Sequence, residues 1–517
     1  MPAPTKAEFD RLRKLVAIED VDARQSRRVD EVFTGNELTT IPIGTAEDVE
    51  KAFAKARAAQ VSWAKRPVKE RAAIFERFRD LVLRNRDFLM DVAQAETGKA
   101  RSAAQEEIVD MVLNARYYAR EAQSLLKQKQ VQPLLPGVVK TVVNYQPKGV
   151  VGVISPWNYP MALSISDSIP ALLAGNAVVV KPDSQTPYCT LANAELLYQA
   201  GLPREVFAVV PGQGSVVGTA IVENCDYLMF TGSTATGRGL AEHCGRRLIG
   251  FSAELGGKNP MIVTKGANLD VVAKAATRAC FSNAGQLCIS IERIYVDRSV
   301  ADAFAAKFAE NVKAMKLGTS YDFDADMGSL ISEDQVKSVS RHVDDAVVKG
   351  AKVIAGGHAR PDIGPTFFEP TVLTDVTDDM ECGRNETFGP VVAIYPVDSI
   401  EEAIERANDT EYGLNASVWA GSKSEGEAIA ARLHAGTVNV DEGYALTFGS
   451  TAAPMGGMKS SGVGRRHGAE GILKYTEPQT VSTARVLNLD PPFGLSPVLW
   501  QKLLTPLVET VQQLPGR

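Results

Sequence analysis

The sequence lacks any uninterrupted apolar run of about 18 residues, the length that a membrane-spanning helix needs. Its first twenty residues, MPAPTKAEFDRLRKLVAIED, alternate charged and apolar positions. They contain no apolar core of the kind that defines a secretory signal peptide. We therefore expect a cytoplasmic protein without a membrane-spanning segment.

Cysteine is scarce and scattered along the chain. Six cysteines occur in 517 residues, and no two of them form a C-x-x-C pair. This spacing excludes a zinc ribbon and a thioredoxin motif, and isolated thiols suit a reducing compartment. The composition again favours the cytoplasm, and no metal site is expected.

The chain also lacks an excess of basic residues. Lysine and arginine number 56 against 62 aspartates and glutamates, which gives a net charge of -6. A chain with this balance has no general attraction to nucleic acid or to an anionic membrane surface. Neither is expected as a partner.

Two kinds of hydrophobic pattern fill the chain. Between residues 46 and 126 the apolar side chains recur at helical spacing, with charge on the opposite face. From residue 149 onward, short apolar runs alternate with helix-like segments, and after residue 254 the alternation resumes with a new set. Such alternation is typical of βαβ units in a doubly wound parallel sheet, which binds ligands at the carboxyl ends of its strands. The prediction is an α/β protein with two such domains.

Two segments stand apart from this alternation. VQPLLPGVVKTVVNYQPKG has proline near both ends and a β-branched centre, which predicts a strand-like arm that could pair with a partner subunit. The last residues, PPFGLSPVLWQKLLTPLVETVQQLPGR, contain an amphipathic helix framed by prolines. Packing on the body or on a neighbouring subunit is the simpler interpretation of that helix, and peripheral membrane contact is the alternative.

Three short stretches place polar residues at the ends of predicted strands. FTGSTATGRG follows an apolar strand, so Gly232 could open a phosphate-binding turn or an ordinary strand-to-helix turn. In ISPWNYP, Asn158 could offer its side-chain amide to an oxyanion or could simply form a turn. In VVVKPDSQTP, Lys181 ends a buried strand, where it could meet a ligand or only solvent.

Two further stretches carry reactive side chains. Glu254 in ELGGKNP precedes two glycines, which leave room for a water or a ligand beside a general base, although a turn glutamate is the alternative. Cys288 in FSNAGQLC follows small polar residues that would give a substrate access to a nucleophilic thiol. A buried structural thiol is the alternative for Cys288.

In their order along the chain, these stretches resemble the aldehyde dehydrogenase superfamily. PWNYP, KPDS, FTGSTATG, ELGGKNP and GQLC are followed by ETFGP and PMGGMKSSGVGRRHG, and the resemblance covers roughly residues 35 to 485. Within the superfamily the chain is most similar to the NADP-dependent succinate-semialdehyde dehydrogenases of the second type from actinobacteria.

The resemblance implies an aldehyde dehydrogenase-like α/β fold with a Rossmann-type cofactor domain, a second α/β catalytic domain and a small β arm for oligomerisation. The implied cofactor-binding domain comprises residues 1–129, 147–254 and 444–479, and the catalytic domain comprises residues 255–443. The arm would comprise residues 130–146 and 480–489, ahead of an amphipathic tail at 490–517. A homodimer or a homotetramer is the implied assembly.

The resemblance also assigns the chemistry. Cys288 matches the nucleophile, which would form a thiohemiacetal and then a thioester with the aldehyde. Asn158 matches the oxyanion site, and Glu254 matches the base that activates the hydrolytic water. The implied cofactor contacts are Trp157, Asn158, Lys181, Pro182, Asp183, Ser184, Gly232, Ser233, Leu255, Glu386 and Phe388.

Ser184 bears on the choice of cofactor. NAD-preferring relatives commonly carry a glutamate at this position, and a carboxylate there would repel a 2′-phosphate. Serine removes the repulsion, and Lys181 adds positive charge. NADP is therefore the expected cofactor, with NAD as the alternative.

The substrate is less clearly implied than the chemistry. Ser166 and Ser282 stand where succinate-semialdehyde dehydrogenases of the first type carry arginines that bind the far carboxylate. Ser450 and Thr451 could add hydroxyl groups to the pocket. Succinate semialdehyde is the predicted substrate, and a less polar aldehyde, with succinate semialdehyde secondary, is the alternative.

Three other functions use some of the same residues. A cofactor-independent thiol hydrolase would pair Cys288 with a histidine, but it would not need the nucleotide-binding stretches. A CoA-acylating dehydrogenase would share Cys288 but generally lacks a glutamate such as Glu254. A binding protein on the same fold would not need Cys288, Glu254 and Asn158 together.

Overall fold

The computed structural model describes residues 3–134, 136, 138–485 and 490–512. Residues 486–489 of the predicted arm and residues 513–517 of the predicted tail lie outside the described residues. The helices are α1 (Lys6–Arg13), α2 (Ala46–Lys65), α3 (Val68–Arg84), α4 (Arg86–Thr97), α5 (Arg101–Leu125), α6 (Pro160–Ile165), α7 (Ser168–Leu173), α8 (Pro187–Gln199), α9 (Thr219–Asn224), α10 (Thr234–Arg247), α11 (Leu269–Phe281), α12 (Arg298–Lys313), α13 (Glu333–Val348), α14 (Glu381–Arg384), α15 (Ile400–Asn408), α16 (Lys423–Ala430), α17 (Ala445–Gly449), α18 (Gly468–Leu473) and α19 (Pro497–Gln512).

The strands form four sheets. They are β1 (Ser26–Asp30), β2 (Glu37–Pro42), β3 (Lys129–Val131), β4 (Val139–Pro147), β5 (Val150–Ile154), β6 (Ala177–Lys181), β7 (Phe207–Val209), β8 (Tyr227–Thr231), β9 (Gly250–Glu254), β10 (Asn259–Val263), β11 (Ile291–Asp297), β12 (Lys352–Ala355), β13 (Thr371–Thr374), β14 (Val391–Val397), β15 (Asn415–Trp419), β16 (Thr437–Val440), β17 (Gly462–Val463) and β18 (Thr476–Ala484).

The first large sheet has the strand order β17-β9-β8-β5-β6-β7 and is parallel except at β17. Its central strands β6 and β8 are buried along their whole length, which explains their nearly continuous apolar sequences. At Gly152 in β5, a Cβ atom would lie 2.5 Å from the side chain of Ile221. Glycine therefore allows α9 to pack closely on this sheet.

The second large sheet has the order β12-β13-β14-β11-β10-β15-β16 and is parallel except at β12. Its core is formed by a separate cluster of buried apolar side chains from its strands and from α11, α12 and α13. The candidate catalytic residues lie where the two sheets meet. The strands β5, β8 and β9 end there, while β10 and β11 begin there.

The third sheet has the order β18-β4-β3 and is antiparallel. Its strands overlap parts of both segments of the predicted arm, and β18 begins at Thr476 and not at residue 480. Beyond Thr476 every residue of β18 is exposed. The sheet therefore projects from the two α/β units.

Several strands were not predicted from the sequence. The hairpin of β1 and β2 lies before the helical pattern that begins at residue 46, and β13, β15 and β17 also lie outside the predicted strands. In β15 the polar residues Asn415 and Ser417 interrupt the apolar pattern. Both are buried because they bond backbone carbonyls, with Asn415 Nδ2 3.0 Å from the oxygen of Ile289 and Ser417 Oγ 2.7 Å from that of Glu442.

Within the described part of the chain, no helix combines the length and the apolar character that crossing a bilayer requires.

Candidate active site

A cavity of about 240 Å³ opens at the carboxyl ends of β5, β8 and β9. Residues from four of the five stretches line it, together with two residues of ETFGP. The lining residues are Pro156, Trp157, Asn158, Thr231, Gly232, Ser233, Glu254, Leu255, Gly256, Cys288, Glu386 and Phe388. Tertiary structure thus brings together segments that lie far apart in the sequence.

The loop before Cys288 has an unusual backbone. Asn283, Ala284 and Gly285 all have positive φ angles, of 50°, 54° and 69°. Such a conformation is unfavourable for residues other than glycine, so the surrounding structure must hold it in place. The side chain of Gln286 does so: its Nε2 donates to the Asn283 carbonyl at 3.0 Å, and its Oε1 accepts from the backbone of Ile331 at 2.9 Å. The loop delivers Cys288 to the cavity in a defined orientation.

The environment of Cys288 disfavours the thiolate. Burial raises the pKa of the thiol to about 12, and the nearby carboxyl groups of Glu254 and Glu386 act in the same direction. At neutral pH the thiol is therefore protonated in the absence of ligands. A nucleophilic role requires a proton acceptor in the same cavity.

Glu254 is the carboxyl group placed to accept a proton. It ends β9, is buried, and lines the same cavity as Cys288. Burial raises its pKa to about 7, while the positive charges of Arg466 and Lys474 act in the opposite direction. A carboxyl group with a pKa near neutrality can exchange protons with a thiol or a water at physiological pH.

Asn158 lies in the same cavity and is firmly held. Its backbone carbonyl accepts from Lys99 Nζ at 2.7 Å and from Asn283 Nδ2 at 3.1 Å. Its own Nδ2 donates to the carbonyl of Gln286 at 3.1 Å. An amide nitrogen carries two hydrogens, so one remains available to an oxyanion.

The turn after β8 fits a phosphate group. At Gly232 a Cβ atom would lie 2.5 Å from the ring of Phe230, so only glycine fits there without a shift. Ser233 caps α10 by accepting from the backbone of Thr236 at 3.3 Å. The N-terminal end of this 14-residue helix lies at the cavity edge, and the first N–H groups of a helix have no partner within the helix, so they can bind an anion.

Glu386 and Phe388 form the opposite wall. The backbone N–H of Gly257 donates to Glu386 Oε1 at 2.8 Å, and burial raises the pKa of this carboxyl group to about 8. The Phe388 ring meets that of Trp157 edge-on, with the centroids 5.4 Å apart. Glu386 and Phe388 line the cavity together with Gly232, Ser233 and Cys288, and these residues would hold part of a dinucleotide.

The remaining predicted cofactor residues lie beside the cavity and not in its lining. Lys181 ends β6, next to β5, and its Nζ donates to the carbonyl of Pro182 at 2.9 Å. Burial lowers the pKa of Lys181. Asp183 Oδ1 accepts from the backbone of Gln185 at 2.9 Å, and Ser184 Oγ donates to the Gly212 carbonyl at 3.0 Å.

The predicted substrate-pocket serines are largely engaged within the protein. Ser166 is buried and donates to Asp110, whose pKa burial raises to about 6. Ser450 is exposed and donates to the Leu446 carbonyl at 2.7 Å. Ser282 Oγ lies 3.5 Å from a Glu106 carboxylate oxygen. Thr451 is half-buried, and its backbone carbonyl accepts from Gly468 at 2.9 Å.

Sequence reasoning missed the acidic residues of α5. Glu107 accepts from the backbone N–H groups of Met161 and Ala162 at 2.8 and 3.0 Å and so holds the start of α6, which directly follows Asn158 and Tyr159. Glu107, Asp110 and Asn114 are buried at a spacing of three and four residues. Polar residues at that spacing on the apolar face of a helix were the available signal.

Residues 19–481 match the family model described as the aldehyde dehydrogenase family. The chain belongs to the aldehyde dehydrogenase family, as the sequence predicted. The crystal structure of an Escherichia coli protein described as an NADP-dependent enzyme has 35% sequence identity and a TM-score of 0.85, covering 89% of this chain and 95% of that one. The predicted fold class is likewise confirmed.

Two relatives of this chain carry more specific names. It is 83% identical, over the full length of both chains, to a Mycolicibacterium smegmatis protein with the provisional name succinate-semialdehyde dehydrogenase [NADP(+)]. It is 35% identical to the 3-sulfolactaldehyde dehydrogenase of Pseudomonas putida, over 88% of this chain and 93% of that protein.

Proposed function

We propose that this protein oxidises succinate semialdehyde to succinate, with NADP as the cofactor and Cys288 as the nucleophile. The observation that carries the proposal is the shared cavity. It places a thiol, a carboxyl group with a pKa near neutrality and a side-chain amide beside a turn that fits a phosphate. A thiol hydrolase would need no such turn.

The first chemical step is addition of Cys288 to the aldehyde. The thiol proton passes to the carboxylate of Glu254 as the Sγ–C bond forms. Addition converts the carbonyl oxygen into the oxyanion of the thiohemiacetal, which the Asn158 amide and the backbone N–H of Cys288 would stabilise. When bound, the oxidised nicotinamide supplies the hydride acceptor and a positive charge in the cavity.

The second step is release of the acid. Oxidation leaves a thioester on Cys288. Glu254 releases the proton it took from the thiol to solvent and then, as a carboxylate, removes a proton from the water that attacks the thioester carbonyl carbon. The C–S bond then breaks, and the sulfur regains a proton. Glu254 therefore acts twice, which a pKa near neutrality permits because both of its protonation states are populated.

The cofactor preference rests on Ser184 and Lys181. No carboxylate stands at position 184 to repel a 2′-phosphate, and Lys181 lies at the end of the same strand–loop segment. The provisional name of the Mycolicibacterium relative and the NADP dependence ascribed to the Escherichia coli enzyme also support NADP.

A less polar aldehyde is the second candidate substrate. The side chain of Cys288 packs against an apolar cluster that includes Leu163, Leu287 and Met455. The hydroxyl groups of Ser166 and Ser450 already donate within the protein. This wall accommodates an uncharged chain at least as readily as a charged one.

Steady-state kinetics with both cofactors and a panel of aldehydes tests the proposal. We expect the wild type to favour NADP, and Ser184→Glu to lower kcat/KM for NADP by about tenfold or more through repulsion of the 2′-phosphate. Cys288→Ser should abolish oxidation while leaving NADP binding intact. A wild type that favours NAD would refute the cofactor argument, and an active Cys288→Ser would refute the nucleophile.

A further inference from the structure

Four side chains converge on the carboxylate of Glu106 in α5. The hydroxyl groups of Tyr159 and Tyr444 each donate to it at 2.9 Å, one to each oxygen. Arg278 Nη2 donates at 3.1 Å, and Ser282 Oγ lies 3.5 Å away. Sequence reasoning had singled out only Ser282 from this cluster.

The cluster adjoins the nucleophile. Tyr159 and Tyr444 belong to the same buried apolar group as Leu287 and Ile289, the two neighbours of Cys288 in the chain, and the side chain of Cys288 packs against that group. The tyrosine rings thus form part of the wall beside the thiol. Their hydroxyl ends mark where this apolar wall becomes polar.

Arg278 lies on the solvent-exposed side of the tyrosine hydroxyls and Glu106. Its side chain keeps 55% of its surface exposed, whereas that of Glu106 keeps 19%. A guanidinium carries five N–H donors, and the ion pair with Glu106 engages one nitrogen. The guanidinium also lies 5.6 Å from the centroid of the Tyr444 ring, a cation–π contact that limits its movement.

The position of Arg278 compensates for the serine at 282. Arg278 lies in the last turn of α11, and Ser282 caps the end of that helix. Residues four apart lie on the same face of a helix, and both side chains meet Glu106. Arg278 thus places a positive charge one helical turn before position 282, where the enzymes of the first type carry an arginine.

We propose that Arg278 binds the acidic group at the far end of a short-chain aldehyde whose carbonyl is at Cys288. Glu106 and Tyr444 act as positioning residues that orient the guanidinium. The ion pair with Glu106 uses one guanidinium nitrogen, and the two tyrosine hydroxyls supply the other donors to that carboxylate, so further N–H donors of Arg278 remain for the substrate. The inference rests on the proposed function and identifies the residue that selects an aldehyde with a carboxylate or similar anion.

A series of aldehydes with matched chain length tests the inference. The series consists of succinate semialdehyde, butanal and 4-trimethylammoniobutanal, whose far ends carry a negative charge, no charge and a positive charge. Arg278→Gln should lower kcat/KM for succinate semialdehyde by about 10- to 100-fold, mainly through KM, because a charged hydrogen bond is lost. Its kcat/KM for butanal should change by no more than about twofold, since no contact to that end of the chain is removed.

Lys274→Gln is the matched control. Lys274 is exposed in the same helix, one turn before Arg278, so its replacement removes the same charge without touching the cluster. It should leave kcat/KM for all three aldehydes unchanged. Arg278→Lys keeps the charge but loses the planar fork, so it should recover only part of the activity on succinate semialdehyde. The melting temperatures of all variants show whether each one is folded.

Three results would overturn the inference: an equal loss on butanal and succinate semialdehyde, no loss on either, or a wild-type preference for 4-trimethylammoniobutanal. The last would mean that Glu106, and not Arg278, faces the substrate. Titration calorimetry with succinate, the product, tests the contact without turnover, and Arg278→Gln should bind it about tenfold or more weakly. A wild type that binds succinate through Arg278 but oxidises none of the aldehydes would refute the proposed function alone.

Discussion

At the scale of single residues, burial raises the pKa of both Cys288 and Glu254. The higher pKa makes the thiol a weaker nucleophile, but it allows the carboxyl group to exchange protons near neutral pH. A pKa of about 12 keeps the Cys288 thiol protonated at neutral pH. A pKa of about 7 keeps Glu254 half-protonated under the same conditions. Transfer of a proton from Cys288 to Glu254 is therefore unfavourable in the protein without ligands. Sulfur attack must therefore accompany proton removal, or ligand binding must first lower the thiol pKa.

The pKa of Glu254 predicts a pH dependence. Glu254 works as a base only when it is deprotonated, so activity should rise with pH through about pH 7 and fall about tenfold per unit below it. A pH profile of kcat/KM measured from about pH 5 to about pH 9 would show this inflection, because kcat/KM reports the ionisation of the free enzyme.

Glu254→Gln should remove the inflection and most of the activity. The control is the melting temperature of wild type and variant across the same pH range, which separates titration of the base from unfolding. An inflection that remained near neutral pH in Glu254→Gln would assign it to another group.

At the scale of structural elements, a buried ion pair supports the wall that contains Glu386. Lys258 follows the turn after β9, and its Nζ contacts the Glu292 carboxylate in β11. That carboxylate also accepts from the backbone N–H groups of Thr387 and Phe388 at 3.0 to 3.1 Å. Phe388 has a positive φ of 50°, so its turn needs such support.

Glu292→Gln should therefore impair both stability and cofactor use. It leaves the charge of Lys258 buried without its partner, which typically costs about 3–5 kcal/mol. It also leaves one carbonyl oxygen to serve two backbone N–H groups, so the turn should loosen and KM for NADP should rise about tenfold. Denaturant unfolding and cofactor kinetics measure the two effects.

The double variant Lys258→Met/Glu292→Gln separates the two roles of the pair. Removing both charges should restore much of the stability while the raised KM for NADP remains. A double variant with a wild-type KM would show that Glu292 stabilises the fold without positioning the turn.

At the scale of the whole molecule, the sheet of β18, β4 and β3 leaves much of its surface open to solvent. Val131 and Val481 are each 39% exposed, and the residues of β18 after Thr476 are all exposed. A small sheet needs a packed face to be stable in water. The helix α19 also exposes Val498, Leu499, Leu503 and Leu507. We expect both surfaces to be covered by other subunits of a homo-oligomer.

Val481→Glu should weaken that assembly by about tenfold or more, because it would bury a charge in the interface. Sedimentation velocity over a range of protein concentrations would measure the shift to smaller species. Val348→Glu is the control, since Val348 is 86% exposed at the end of α13, outside the arm. A monomeric wild type, or an equal effect of both substitutions, would contradict this expectation.

Local sequence patterns were sufficient to predict the main strands and the candidate catalytic residues. The segments that form β5, β6 and β8 are apolar because both faces of those strands are buried. A continuous apolar segment can be recognised directly in the sequence. The family motifs located Cys288 and Glu254 because each residue lies in a short stretch whose sequence matches a motif of the family. β15 was missed because Asn415 and Ser417 find their partners only in the folded chain.

The sequence by itself determined the family, most of the strands of the two large sheets and the candidate catalytic residues Cys288, Glu254 and Asn158. Only the tertiary structure decided how those residues are surrounded. Arg278 and Glu106 are 172 residues apart and Lys258 and Glu292 are 34 apart, so no local pattern indicates either pair. The pKa of Glu254 likewise depends on burial and on Arg466, which approaches from a distant part of the chain. Electrostatic interactions and burial act through space, and folding alone determines which distant residues become neighbours.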